Sequence, residues 1–251
     1  MLRQKDFTII LIRLLLGYIF LSAGLCKLTH GHFGQIIGPP LLEDTLAKYG
    51  LGLFARIVAI TQVVCGTLLL SQRFSTIGAV MLLPMNLSIL AVTISMHWVG
   101  TPYVNGFFIV LNIALLLYDW HKLKVLINPV LSAEARPTAL DAYNQNVFNI
   151  AGTTFAVAAL VASRFSVAFT NVFAIAAFAA MGYSVIQVKA ITKMQALVVA
   201  LVILNMIIIT LASLLGTIAQ KLVLFNTLLI FALFAASFIK LPKRKILPVA
   251  Q

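Results

Sequence analysis

The sequence predicts an all-α, polytopic membrane protein with about eight transmembrane helices arranged as two four-helix halves. Three observations carry this. Of 251 residues, 62% are hydrophobic and only 10% are charged, against about 25% charged in a soluble domain. Mean hydropathy is +1.07. Apolar stretches also recur at roughly the 20-residue length a helix needs to cross the hydrocarbon core. No period-two alternation appears, and helix is the open-ended structure that satisfies its own backbone in lipid. This composition excludes a soluble globular protein, a disordered chain and a nucleic-acid binder.

The expected spans are residues 7–28, 50–71, 75–97, 103–120, 146–163, 166–187, 194–215 and 220–240. The basic start, with Arg3 and Lys5 before an apolar run, has the outline of a secretory signal. The run is long enough to span, holds Arg13 and precedes further spans, so it is taken as the first helix. Residues 28–50 break the spans and contain Gly31, Gly34, Gly38, Pro39 and Pro40. After them, residues 41–49 form a short amphipathic helix with Leu41, Leu42, Leu46 and Tyr49 on its apolar side. It is expected to lie on the membrane surface beside or over the mouth of the bundle. Gln72–Arg73, Gly100–Thr101–Pro102, Arg164, Lys189–Lys193 and Gly216–Lys221 mark the short breaks. Residues 121–145 are the longest polar stretch. The expected organisation is therefore a bundle at 1–125, a cytoplasmic linker at 126–145 and a second four-helix segment at 146–251. No convincing internal repeat relates the halves.

The net charge of +12 falls mostly between spans, where it orients helices. Twelve of the 18 Lys and Arg residues, from Arg3 to Lys245, fall on the side of the N-terminus. Five (Lys27, Lys48, Arg56, Arg164 and Lys221) fall on the other, and Arg13 lies within a span. The positive-inside rule then places both termini in the cytoplasm of a bacterial inner membrane, with Trp98 at the outer interface and Trp120 at the inner.

Acidic residues are unevenly placed. All six (Asp6, Glu43, Asp44, Asp119, Glu134 and Asp141) precede residue 142, and the second half has no His or Cys either. Acid–base chemistry and metal ligation usually need those groups. Chemistry is therefore expected in residues 1–125, with the second half as scaffold, interface or lipid-facing wall. Cys26 and Cys65 sit at different expected depths, separated by well over ~10 Å, and are read as buried and unpaired.

Polar residues in the first four spans fall on stripes. Arg13, Gly17, Phe20, Gly24 and Lys27 share an arc of about 80° on a helix. Gln62 and Gly66 share a face of the second span with Ala55 and Ala59. Asn86, Thr93 and His97 lie along the third, and Asn105, Asn112 and Asp119 recur every seven residues on the fourth. Lipid-exposed polar groups are costly, so these faces are expected to point inward, with the glycines allowing close backbone approach. Arg13 and Asp119 are placed to pair. Their pairing is either a structural pin or part of a contact for an anion, a headgroup or a quinone oxygen. The candidate ligand contacts are Arg13, Lys27, Gln62, Asn86, Asn105, Asn112 and Asp119, although asparagines in membrane bundles are more often interhelical hydrogen-bonders. His30, His32 and His97, with Glu43 and Asp44 nearby, are the candidates for a metal or haem site at the outer end. Their spacing matches no strong motif, which argues against such a site.

These residues resemble the DoxX family of membrane proteins over about residues 8–122. The matching stretches are Arg13-Leu-Leu-Leu-Gly17-Tyr-Ile-Phe20-Leu-Ser-Ala-Gly24-Leu-Cys-Lys27, Gly66-Thr-Leu-Leu-Leu70 after Arg56, and Gly100-Thr-Pro-Tyr-Val-Asn105 leading to Asn112 and Asp119-Trp. The resemblance implies a four-helix membrane subunit with an added C-terminal module, and Gln62 stands where relatives carry an acid. Relatives are linked to quinone-coupled sulfur oxidation, redox-stress complexes and maturation of other proteins. The expected function is an integral membrane subunit of a redox or quinone-linked system, an oxidoreductase subunit with quinone as the implied cofactor. Its expected partners are the lipid bilayer, other membrane or periplasmic redox proteins and further copies of the chain, with no nucleic acid. The alternatives are a non-catalytic assembly or partner-docking protein and a lipid or small-solute carrier. The lack of a repeat argues against the carrier. Only Pro84 interrupts a span, and a proline there is expected to kink the helix.

Overall fold

The computed structural model describes residues 2–34, 41–127, 146–188 and 190–239, and all regular elements among them are helices. The first is α1 (Gln4–Leu28), followed by the short α2 (Leu41–Lys48). Three long helices come next: α3 (Gly52–Leu70), α4 (Ser75–Ser95) and α5 (Thr101–Tyr118). A further short helix, α6 (Trp120–Ile127), then precedes α7 (Val147–Ala162) and α8 (Val167–Ile186). The chain closes with α9 (Lys193–Thr210), α10 (Ala212–Leu215) and α11 (Thr217–Ile239). Seven of these helices are long and apolar enough to cross a bilayer, and α7 is a shorter apolar helix of 16 residues. At ~1.5 Å per residue α7 reaches about 24 Å, short of the ~30 Å hydrocarbon core. The chain is a multi-pass membrane protein.

The expected spans coincide with these helices, with three differences. The fifth, 146–163, is the 16-residue α7, so seven of the eight expected spans are long enough to cross. The stretch 194–215 is divided: α9 ends at Thr210 and a single turn, α10, follows. Gly216 then reverses the chain at φ 56°, a left-handed backbone that glycine adopts without cost. The polar stretch after residue 120 also begins with a helix, α6. Lys122 and Leu123 each donate a backbone N–H to the carbonyl of Asp119, so the residue ending α5 also opens α6. The expected start of α2 at Pro39–Pro40, most of the linker, Lys189 and residues 240–251 lie outside the described residues.

Helix α1 is the axis of the molecule. In its most apolar 18-residue window 78% of residues are buried, against 11% for α11. Both its polar arc and its apolar faces need covering in the membrane, and both halves supply the cover. Gly17 and Gly24 meet α3, where an added Cβ at Gly17 would stand 2.9 Å from the Gly66 carbonyl oxygen and one at Gly24 2.5 Å from that of Ala59. This is the close approach expected of the glycine stripe. Phe20 packs edge-on against Phe108 of α5, with centroids 6.1 Å apart. Toward the second half, Tyr18 stacks edge-on with Phe178 of α8 and donates its hydroxyl to the Met206 carbonyl of α9 at 3.2 Å. Phe7 lies against Phe234 of α11. One buried apolar cluster therefore runs through α1, α3, α4, α5, α7, α8 and α9.

Helix α2 lies across the end of the bundle as its amphipathic pattern predicts. Leu46 is buried with Ala55 of α3, and Val92, Met96 and Trp98 pack against the pair. Tyr49, expected on the same apolar side, is instead 73% exposed. It lies beyond the last helical residue, Lys48. The side chains of Leu41 and Leu42 lie outside the described residues.

Candidate functional site

The polar stripes converge inside the first bundle. At the α1 N-terminal end, the Arg13 guanidinium donates to Asp119 Oδ2 at 2.9 Å, with both side chains 2% exposed. The pair that sequence spacing placed together is thus formed. Asp119 has two more neighbours: the Thr76 hydroxyl of α4 donates to Oδ2 at 2.9 Å, and Lys122 Nζ stands 3.3 Å from Oδ1. Beside it, buried Asp6 accepts from the Tyr118 hydroxyl at 2.8 Å and from Arg3 at 3.2 Å. The Arg13 guanidinium lies 5.9 Å from the Tyr118 ring centre and Lys5 Nζ lies 5.5 Å from it. The ring thereby joins the two ion pairs.

At the far end of α1, Lys27 is buried and donates to the Gln62 side-chain carbonyl at 3.1 Å and to the Ala23 carbonyl at 3.2 Å. A small cavity of about 20 Å³ lies beside it, lined by Glu43 of α2 and by Ala55, Ser88 and Val92. That is room for about one water molecule.

Along the same stripes lie Asn86 on α4 and Asn112 on α5, each 0% exposed; Asn112 is a further two helical turns, ~10 Å, along α5 from Asn105. Asn105 spends its amide on the Asn86 backbone carbonyl at 2.8 Å, closing the α4–α5 pair. The Asn86 and Asn112 carboxamides themselves have no hydrogen-bond partner among the described residues, on either nitrogen or oxygen. Buried carboxamides ordinarily find partners, and one left without them costs about 1–3 kcal/mol. The second half offers the comparison. Its buried Asn149 accepts from Ser184 at 2.5 Å, and Asn226 bonds both Asn205 and the Leu201 carbonyl at 2.9 Å. There only the Asn171 oxygen is unmatched among the described residues.

The three histidines do not converge. His30 and His32 line a cleft between the halves at the far end of the molecule, and His97 is not among its lining residues. Among the described residues no three His, Cys, Asp or Glu side chains form a group able to hold a metal ion. Cys26 and Cys65 are buried and unpaired, as depth predicts.

Several participants escaped the sequence reading. Thr76 sits in the first turn of α4 and carries no helix-face signal of its own. Asp6 and Tyr118 meet only because α1 and α5 cross. Lys122 was legible, being three residues from Asp119 on a helical path.

Residues 8–98 match the model of the DoxX family. This stretch of the chain is DoxX-like. It covers α1 to α4 and ends before α5, which carries Asn105, Asn112 and Asp119. No curated protein and no solved structure matches the chain.

Proposed function

We propose that the chain is a membrane subunit of a redox or quinone-linked system that binds a small lipophilic or anionic ligand inside its N-terminal bundle. The observation that carries this is the pair of fully buried, unpartnered carboxamides of Asn86 and Asn112. They lie on the α4 and α5 faces of the bundle that also holds Arg13–Asp119 and Lys27–Gln62. Each carboxamide offers two N–H donors and an acceptor. Quinone carbonyls are acceptors of matching chemistry, and the Phe20–Phe108 pair supplies an aromatic wall on α1 and α5. A quinone bound there would contribute a capacity to carry two electrons and two protons. Arg13, with Asp119 fixing its guanidinium, and Lys27, fixed by Gln62, would set the positive potential at either end of such a ligand. We further propose that both termini face the cytoplasm of a bacterial inner membrane. The division at residues 126–145 would separate this bundle from a second segment acting as scaffold.

The test is extraction of the chain from native membranes, followed by chromatography of its bound lipids. A quinone retained by the wild type and lost in Asn112→Leu supports the reading. A chain without quinone, whose intrinsic fluorescence does not respond to added quinone, contradicts it. If a protein partner then co-purifies at fixed stoichiometry, the assembly or docking role replaces it.

A further inference from the structure

A second polar region lies apart from the bundle interior. At the far end, where the two halves meet, a cleft of about 540 Å³ opens to the surface. Its walls come from both halves: His30 and His32 follow α1, Arg56 lies on α3, and Arg164 and Ser166 belong to the α7–α8 turn. Two guanidinium groups and two imidazoles thus face one acid in the lining, Glu43. Among the described residues neither the Arg56 nor the Arg164 guanidinium has an ion-pair or hydrogen-bond partner. With a single acid against two guanidinium groups the lining carries net positive charge, which an anion between them would offset. Ser166 caps α8, whose first backbone N–H groups open at the same place. His30 adds a further oddity. It holds a left-handed φ of 52° in the turn closing α1, beside Gly31, where glycine or asparagine is the usual occupant. The remaining wall is apolar, with Ile60 and the 82% exposed Phe165 on it.

We propose that this cleft binds a phosphate-type oxyanion, clamped between Arg56 of the first half and Arg164 of the second. Guanidinium forks match phosphate oxygens in pairs. The ligand is either free phosphate or the headgroup of an anionic phospholipid whose chains run down the apolar wall. In both cases it ties the two halves together at this end of the molecule.

The test uses the full chain. Native mass spectrometry compares retention of phosphatidylglycerol with that of phosphatidylcholine, and calorimetry in phosphatidylcholine nanodiscs titrates inorganic phosphate. Selective retention of phosphatidylglycerol identifies the headgroup, and saturable heat from inorganic phosphate identifies the free anion. In either case Arg56→Gln with Arg164→Gln is expected to weaken binding about tenfold or more. Lys48→Gln with Lys221→Gln, an equal loss of charge on the same side, is expected to leave it unchanged. Arg56→Lys with Arg164→Lys keeps the charge and is expected to restore part of the binding. If the glutamine variant loses its wild-type melting temperature, this lysine pair decides the matter, and no recovery overturns the proposal. Absence of both binding modes, or equal loss in the Lys48 and Lys221 control, overturns it as well.

Discussion

Asp119 is the residue on which the α1 N-terminal end depends, because it accepts from Thr76 and faces both Arg13 and Lys122. Removing one member of a buried pair strands the other, whereas removing both does not. Asp119→Leu is therefore expected to destabilise the chain by about 3–5 kcal/mol. Arg13→Leu is expected to cost less, since Asp119 keeps Thr76 and Lys122. The double variant is expected to be more stable than Asp119→Leu alone. Denaturation of the three variants in detergent decides this, and strictly additive losses would remove the pairing from the account. The residue scale was only partly legible in the sequence. Arg13 and Asp119 were visible because a charge inside an apolar span must find a partner. The Tyr118–Asp6 contact depends on how α1 and α5 cross, and no spacing within either helix encodes that. The failure of Asn86 and Asn112 to find partners was equally invisible, since both look like the ordinary interhelical hydrogen-bonders that Asn105 turns out to be.

Among the elements, α1 carries the most consequence and was the least well anticipated. Its polar arc was legible from the 100° step, and the structure turns that arc toward α3 and α5. The opposite faces are mostly apolar, with Gln4, Thr8, Tyr18 and Ser22 among them, and a largely apolar surface reads the same whether lipid or protein covers it. The contacts with Phe178, Met206 and Phe234 had no signal. The glycine stripe gives a sharp test of the α1–α3 crossing. A Cβ at Gly66 would collide with the α1 backbone at Gly17 and Leu21, whereas one at Gly106 on α5 meets nothing within 4 Å. Gly66→Ala is expected to lower stability by about 1–3 kcal/mol by forcing the helices apart. Gly106→Ala is expected to raise it by about 0.5–1 kcal/mol through helix propensity alone. Thermal melts of the two variants in the same detergent check the pair, and equal shifts would mean that α1 and α3 are not in backbone contact.

At the scale of the whole molecule, composition places the chain in a membrane, and charge placement is the basis of the proposed orientation. The scarcity of acids after residue 141 marks the second half as the quieter one chemically. Its described buried polar side chains mostly bond nearby backbone carbonyls or one another, in keeping with a scaffold. Its remaining part in the molecule is to cover α1 and to close the cleft at Arg164, and neither follows from its own sequence. The proposed orientation can be read directly because both native cysteines are buried. Single cysteines at Val99, which is 98% exposed, and at Phe165 are expected to react with a membrane-impermeant maleimide in intact cells. One at Arg73 is expected to react only after permeabilisation. The reverse pattern would invert the topology and place the Arg56–Arg164 cleft in the cytoplasm.

The central claim is that Asn86 and Asn112 are held unpartnered inside the N-terminal bundle in order to meet a ligand. The most direct measurement is an experimental density map of the chain extracted from its native membrane with its lipids. The account predicts density within hydrogen-bond reach of the two carboxamides that disappears in Asn86→Leu with Asn112→Leu. A map in which both carboxamides bond to neighbouring helices, with no density beside them, would contradict it.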